Sequence, residues 1–515
     1  MATVTQLRIV HDHEIIEPDV EVAIIGAGIS GIGMAIYLKR AGIEDFTILE
    51  RSDDIGGTWR DNTYPGVGVD IPAQAYQFSF ELNPTWSRTF AKGHEVKAYL
   101  DHIVAKYEIK RHIQFNEYVR SRVFDESSNT WVLDLGDRSL RARFVISAIG
   151  AFVDPKPVNI DGLENFAGKV IHSASWDHKF SLERKRVSLI GTGASAVQIL
   201  PEIANKCKSV HVYQRTPIWV GPKIDLVTPY YLRAIYKRYP DLQGIVRKFS
   251  ARASEFVLID FVVNYQKVKA ISNFVTFLGR HVWYRTQVKD KALRDKLTPS
   301  YGIGCKRPSV SNSYLSTFNR DNVTLITSPI SKVIETGVEL ENREVIESDV
   351  IVLATGFTLS SDPANYVKTP VKGRNGFDLA NEYQNKRLRS YESVSIPKLP
   401  NHFMIFGPYG WTGGTWHSLV ETAATHIVRV LKESQRRNAV FVEVKDEACD
   451  RWTEEMRRRI DSSLFFSNNC QSANSYYFDH HEDSPFLRPS SAKEAMKSAR
   501  SFCLDDYVFE TKPRR

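Results

Sequence analysis

Residues 21–50 read EVAIIGAGISGIGMAIYLKRAGIEDFTILE. An apolar run at 22–25 leads into Gly26-x-Gly28-x-x-Gly31. A helical stretch follows, and a second apolar run at 46–49 ends at Glu50. Strand, glycine turn, helix, strand and terminal acid stand at the spacing of a βαβ dinucleotide-binding unit. Gly26 permits the tight turn, Gly28 lets a pyrophosphate approach the backbone at the helix N-terminus, and Gly31 lets helix and strand pack closely. Glu50 is expected to accept from ribose hydroxyls. The glycine motif alone is weak evidence; in register with its strands and helix it sets the fold class as α/β.

Residues 187–217, VSLIGTGASAVQILPEIANKCKSVHVYQRTP, repeat the pattern. Gly191-x-Gly193-x-x-Ala196 opens the second helix, and Thr192, Ala194 and Ser195 complete the expected nucleotide contacts. The strand at 210–213 ends in Gln214, Arg215 and Thr216, with no acid where Glu50 stood. An arginine there suits a 2′-phosphate, so NADPH is expected over NADH. Two fingerprints predict two Rossmann-like dinucleotide-binding domains, FAD in the first and NADP in the second. The loop after Glu50, RSDDIGGTWRDNTYPG, is expected to pass the flavin through Gly57, Thr58 and Trp59. The runs FVISAIG (144–150) and IVLATGF (351–357) read as further sheet strands.

A chain of 515 residues calls for two to four domains. The expected division is an FAD-binding domain at 1–155 and 386–515, and an NADP-binding domain at 156–224 and 301–385. A helical insertion occupies 225–300. In that insertion apolar residues recur at three- and four-residue spacing, and packing of these helices into a core is the first expectation. Walling a substrate pocket, covering the active site and lying on a membrane surface are the alternatives. The stretch NHFMIFGPYGWTGGTWHS (401–418) reads as strand, loop and helix, with the helix N-terminus and Trp416 facing the flavin. Tyr76 is a further expected cofactor contact.

The net charge of +8 comes without any long block of like charge, which disfavours nucleic-acid binding. The N-terminus has no apolar signal core and no apolar run is long enough to span a bilayer. The five cysteines, Cys207, Cys305, Cys449, Cys470 and Cys503, are odd in number, widely spaced and without CxxC. Free thiols and a cytoplasmic location are expected from them. Asp479, His480 and His481 suggest a metal at first sight, but no further ligand stands at suitable spacing, so no metal is expected.

Residues 166–177, FAGKVIHSASWD, decide the chemistry. Phe166, Gly168, His172, Trp176 and Asp177 match every position of F-x-G-x-x-x-H-x-x-x-W followed by Pro or Asp. Lying just before the second fingerprint, this pattern resembles that of the type I Baeyer–Villiger monooxygenases, among the class B flavoprotein monooxygenases. The resemblance covers nearly the whole chain. It implies insertion of one oxygen atom of O2 beside a ketone carbonyl, giving an ester or lactone, by way of a flavin C4a-peroxide, with side sulfoxidation. YPGVGVDIPAQAY (64–76) resembles the family segment whose aspartate, here Asp70, lies beside the catalytic arginine. YGIGCKRPSVSNSYLSTFNRDNV (301–323) resembles the segment that supplies this arginine, here Arg307, with Lys306 beside it on the NADPH phosphate. The five motif residues are implied at the hinge between the two nucleotide units. His172 has no carboxylate before Asp177 to activate it and reads as a structural anchor.

The alternative reading is a flavin-containing monooxygenase oxidising nitrogen or sulfur, against which Trp176 and Arg307 speak. A flavin disulfide reductase would need a redox-active cysteine pair of CxxC type. The substrates implied are a small-molecule ketone and O2; which ketone, and whether the chain is a monomer or dimer, stay open.

Overall fold

The computed structural model describes residues 17–467 and 470–511; the N-terminal stretch read as lacking a signal core lies largely outside them. The opening motif folds as β1 (Val20–Ile25), α1 (Ile29–Arg40) and β2 (Phe46–Glu50). Nearly all residues of both strands are buried, which is why they read as continuous apolar runs: a parallel strand covered on both faces has no polar side. β1 pairs in parallel with β2, setting Val22 beside Phe46, and with β6 (Ser139–Ser147), setting Val22 beside Phe144. β3 (Ile113–Phe115) extends the sheet beyond β2, while β4 (Ser121–Asp125) and β5 (Thr130–Asp134) add an antiparallel wing to β6.

The second unit is a five-stranded, wholly parallel sheet. Its strands are β7 (Lys169–His172), β8 (Arg186–Ile190), β9 (Ser209–Tyr213), β10 (Val323–Ile326) and β11 (Val350–Leu353). The spatial order is β10-β9-β8-β11-β7. The order reverses between β8 and β11, the place where an open α/β sheet leaves a crevice at its carboxyl ends. α2 (Ala194–Ile203) follows β8, as the repeated motif requires. One hydrophobic cluster contains residues of both sheets, Ile24 and Val187 among them.

The expected second part of the NADP-binding domain, 301–385, contributes to both sheets. The chain rejoins the first sheet at Val371–Lys372, which pairs with β4, ahead of residue 385. Tyr366, Leu379 and Tyr383 already belong to the core on that sheet's other side. The insertion is helical, with α3 (Tyr230–Arg238), α4 (Pro240–Glu255) and α5 (Tyr265–Leu278). It packs into the core only in part: Ile259, Val262, Tyr265 and Tyr284 are buried in the main cluster, whereas Ile245, Phe249, Phe274 and Phe277 are exposed. The inward contacts of α4 are polar instead. Gln243 donates to Asn83 O, and Arg247 donates to Gln77 O at 3.2 Å. No helix among the described residues is long and apolar enough to cross a membrane.

The glycines explain why this fold needs its motif. A Cβ on Gly31 would lie 1.8 Å from Gly26 O, so α1 can lie against the turn only with glycine there. Gly26 holds φ +104 with its missing Cβ 2.9 Å from Ala148 O. Gly31→Ala should therefore lower the thermal midpoint, by about 3 kcal/mol or more in stability, since overpacking against backbone cannot be relieved by a rotamer change. Calorimetry of the variant checks this, and a wild-type midpoint would contradict it.

Candidate functional site

A cavity of ≈ 1710 Å³ runs between the carboxyl ends of the two sheets and is lined by both units. It gathers the expected residues Gly26, Gly28, Glu50, Gly57, Thr58, Trp59, Asp70, Tyr76, Gly191, Thr192, Gly193, Ala194, Ser195, Arg215, Thr216, Lys306, Arg307 and Trp416. Gly31 lies behind the wall.

The first cradle is built from backbone. Gly28 and Gly57 face each other closely: a Cβ on Gly57 would sit 3.3 Å from Gly28 Cα. The loop after β2 thus reaches the glycine turn, where Gly56 N–H donates to Ala27 O at 3.0 Å. Glu50 is buried and accepts from Ala27 N–H at 2.7 Å, Ser52 N–H at 3.0 Å and Arg60 Nη1 at 3.1 Å. A carboxylate has about four acceptor sites, so one stays available for a hydroxyl. Trp59 donates through Nε1 to the Tyr76 hydroxyl (3.2 Å), and burial holds that phenol above its ordinary pKa, hence neutral. Trp416 donates through Nε1 to Ser30 Oγ at 3.0 Å, fixing the first residue of the helix Trp416–Arg437 against α1. Thr415 caps that helix by accepting from Ser418 N–H at 3.1 Å.

The second cradle has a different charge. A Cβ on Gly193 would meet no protein atom within 4 Å, although its φ of −73 would suit any residue. The reason for glycine is therefore space on the cavity side, which is what an approaching pyrophosphate needs. Thr192 donates to Thr216 O at 2.9 Å. Lys306 has no carboxylate within ion-pair distance among the described residues. Burial, and then the nearby charge of Arg215, hold its ammonium below the ordinary lysine range. Two cations at one cavity wall fit a phosphate. With the Asn474 amide oriented to satisfy its partners, its oxygen accepts from Arg215 Nε (2.9 Å) and Nη2 (2.5 Å).

Where the units meet, Arg307 grips Asp70 in a fork. Nε donates to one carboxylate oxygen at 3.0 Å and Nη2 to the other at 2.7 Å. Burial is the largest single influence and opposes the guanidinium charge, but Asp70, Tyr476 and Tyr477 together outweigh it and leave the arginine above its ordinary pKa. The opposite side of the guanidinium faces an aromatic wall. The Trp411 ring lies 5.4 Å from Cζ, stacked with Tyr477 at 6.2 Å and edge-on to Phe486 at 5.7 Å. Sequence reading left Trp411, Asn474, Tyr476, Tyr477 and Phe486 without individual roles. Their only signal was the aromatic density of the loops after Gly407 and Cys470.

None of Phe166, Gly168, His172, Trp176 or Asp177 lines the cavity. Phe166 is buried in the second unit's core, and Gly168 lets it fold back, since a Cβ there would lie 2.6 Å from the Phe166 ring. His172 Nδ1 accepts from Ala174 N–H at 3.0 Å, and burial lowers its pKa, so it is neutral and structural. Its Nε2 stands 3.5 Å from the hydroxyl of Thr355, a cavity residue. Asp177 pairs with Lys169 at 2.8 Å. His480 and His481 are spent on backbone, at 3.0 Å from Gln384 O and 3.3 Å from Tyr383 O.

The cysteines require a correction. Cys207, Cys449 and Cys503 are free thiols, but Cys305 and Cys470 form a disulfide across 165 residues. Spacing could not reveal it, because only the folded chain brings the two loops together. The bond ties the segment carrying Lys306 and Arg307 to the loop carrying Asn474, Tyr476 and Tyr477.

Residues 23–255 match the family model of pyridine nucleotide-disulphide oxidoreductases. A Baeyer–Villiger monooxygenase of Pseudomonas aeruginosa is 37% identical over 454 residues, covering 88% of this chain and 84% of that one. One of Streptomyces coelicolor is 32% identical, covering 96% and 94%. The crystal structure of OTEMO in complex with FAD and NADP superposes with a TM-score of 0.85 at 25% identity, covering 96% of this chain and all of that one.

Cys470→Ser should lower the thermal midpoint and speed proteolysis within 464–486, since closing so long a loop contributes about 2–4 kcal/mol. Equal midpoints with and without a thiol reductant would show the link to be idle.

Proposed function

We propose, from the premise that this chain belongs to the Baeyer–Villiger monooxygenase family, that Arg307 is the residue on which its oxygen insertion turns and Asp70 the residue that positions it. The enzyme is an FAD- and NADPH-dependent monooxygenase that inserts one atom of O2 next to a ketone carbonyl, giving an ester or lactone. FAD, when bound, supplies the activation of O2 with electrons drawn from NADPH. The observation that carries the assignment is the fork between Arg307 and Asp70, closed across the two units at the wall of their shared cavity.

Each role follows from what the side chain can do. The first glycine turn, with Glu50, Gly57, Thr58 and Trp59, would hold FAD. Gly191 to Ser195, Arg215, Thr216 and Lys306 would hold NADPH. The guanidinium of Arg307 stays charged at any working pH, and Asp70 takes two of its five N–H donors. One side also meets the Tyr476 hydroxyl, and the donors left over would stabilise negative charge as it gathers on the substrate's carbonyl oxygen. Trp411, Tyr477 and Phe486 exclude water from that charge and favour a bulky apolar ketone. The 166–177 segment backs the cavity through Ala174 and through His172 beside Thr355, where it would hold the second unit in register as the nucleotide changes its task.

Arg307→Ala should keep both cofactors and reduction by NADPH while ester formation falls by about 10²-fold or more. Asp70→Ala should cost about tenfold, because the charge remains and only its placement suffers. Product analysis with a ketone panel reads both, and esterification retained in Arg307→Ala would remove the assigned role. Arg215→Ala should raise KM for NADPH about tenfold with little change for NADH, since only NADPH carries the 2′-phosphate that this guanidinium would bind. Steady-state kinetics with the two nucleotides decide this; equal effects would show that the arginine does not read the phosphate.

A further inference from the structure

The insertion enters the core through Ile259, Val262, Tyr265 and Tyr284, but the outer faces of its helices are apolar. On α4, Leu242, Ile245 (64% exposed), Phe249 (76%) and, just beyond the helix, Phe256 form one outward stripe. The same helix buries Gln243 (1%) and Glu255 and turns Arg247 inward. α5, beyond the buried Tyr265 that opens it, repeats the arrangement: Ile271, Phe274 (59%), Val275 and Leu278 face out at helical spacing, while Ser272 is buried. On α3, Tyr230 and Tyr231 are exposed. A helix that lays its polar residues against protein and its apolar residues outward is matched to a medium other than water. The cavity does not supply that medium, since no residue between Ile218 and Lys306 lines it.

Charge names the medium. Residues 225–300 hold fourteen Lys and Arg against six Asp and Glu, a net +8, equal to the net charge of the whole chain. The other residues are therefore neutral in sum. Lys237, Arg238, Lys248, Lys267, Lys269 and Arg285 are exposed, and none has an ion-pair partner among the described residues. Such a face repels a second copy of itself. It complements an anionic surface that is apolar just beneath.

We infer that α3, α4 and α5 form an interfacial anchor that docks the enzyme on an anionic phospholipid bilayer. Exposed apolar side chains enter the boundary between headgroups and acyl chains, and the unpaired lysines and arginines engage lipid phosphates. The helices lie on the bilayer and do not cross it.

Vesicle co-sedimentation of the full chain tests this, using phosphatidylcholine vesicles with and without an equal share of phosphatidylglycerol. The expected result is partition about tenfold stronger onto the anionic vesicles, weakening as salt is raised. The double variant Phe249→Ser, Phe274→Ser and the triple variant Lys248→Glu, Lys267→Glu, Lys269→Glu should each lose about tenfold of it. Neither set lies near the cavity, so NADPH oxidation with a water-soluble ketone should stay at the wild-type rate, which also reports that the variants fold. Wild-type protein that stays in solution with both vesicle types would overturn the anchor. So would sedimentation velocity showing an oligomer that the serine variant disperses, because a second copy would then cover the face.

Discussion

The Arg307–Asp70 fork is the constraint around which the two nucleotide units are arranged. Its partners stand 237 residues apart, one in each unit, and a bidentate pair tolerates little displacement. Nearby bonds hold the same apposition. Gln198 on α2 donates to Gly68 O at 3.0 Å, the Tyr64 hydroxyl donates to Gln198 Oε1 at 3.0 Å, and His178 meets Thr63 at 2.8 Å. The segment 63–70 is thereby stitched to the second unit on both sides of the cavity. Because the fork is neutral as a whole, it presents N–H donors without strong ground-state attraction for anions. That is the arrangement that favours charge appearing during reaction over charge already present.

The glycines of the two fingerprints divide by what crowds them. Gly26, Gly31 and Gly191 are needed by the protein itself: a Cβ would strike a backbone carbonyl at 2.9, 1.8 and 2.4 Å. Gly193 is crowded by nothing in the chain, and Gly28 only by Gly57. These two positions are glycine for the sake of something that enters the cavity. The division separates folding requirements from binding requirements within a single motif.

This also explains what could be read from the sequence. Both nucleotide units were legible because each signature completes itself within about thirty residues of chain. The Arg307–Asp70 pair was reached only through family resemblance, since no local pattern links residues so far apart. Trp411 and Tyr477 were visible as aromatic loops but not as the wall beside Arg307. The Cys305–Cys470 bond was misread, because an odd count and wide spacing describe the chain and not the fold. The helical insertion shows a deeper limit. Its periodicity correctly gave helices with an apolar stripe, yet periodicity reports which side is apolar and is silent about the medium that side meets. Only the burial of Gln243 and Ser272 reveals that the stripe points away from the protein.

The position of that insertion couples surface to site. It leaves the second sheet after β9 and returns as the segment bearing Lys306 and Arg307. Its last turns, the strand it leaves from and the segment it returns to are bonded to one another. Arg280 donates to Pro299 O at 2.8 Å, Trp219 donates to Tyr301 O at 2.9 Å, and Trp283 donates to Val220 O at 2.9 Å. Val262, just before α5, accepts from Leu464 N–H at 2.8 Å, next to the loop that Cys470 joins to Cys305. These bonds join the base of the insertion to the two loops that enclose the guanidinium. The chain thus places an exposed apolar surface and the charge at Arg307 on a single continuous stretch whose ends share their supporting bonds.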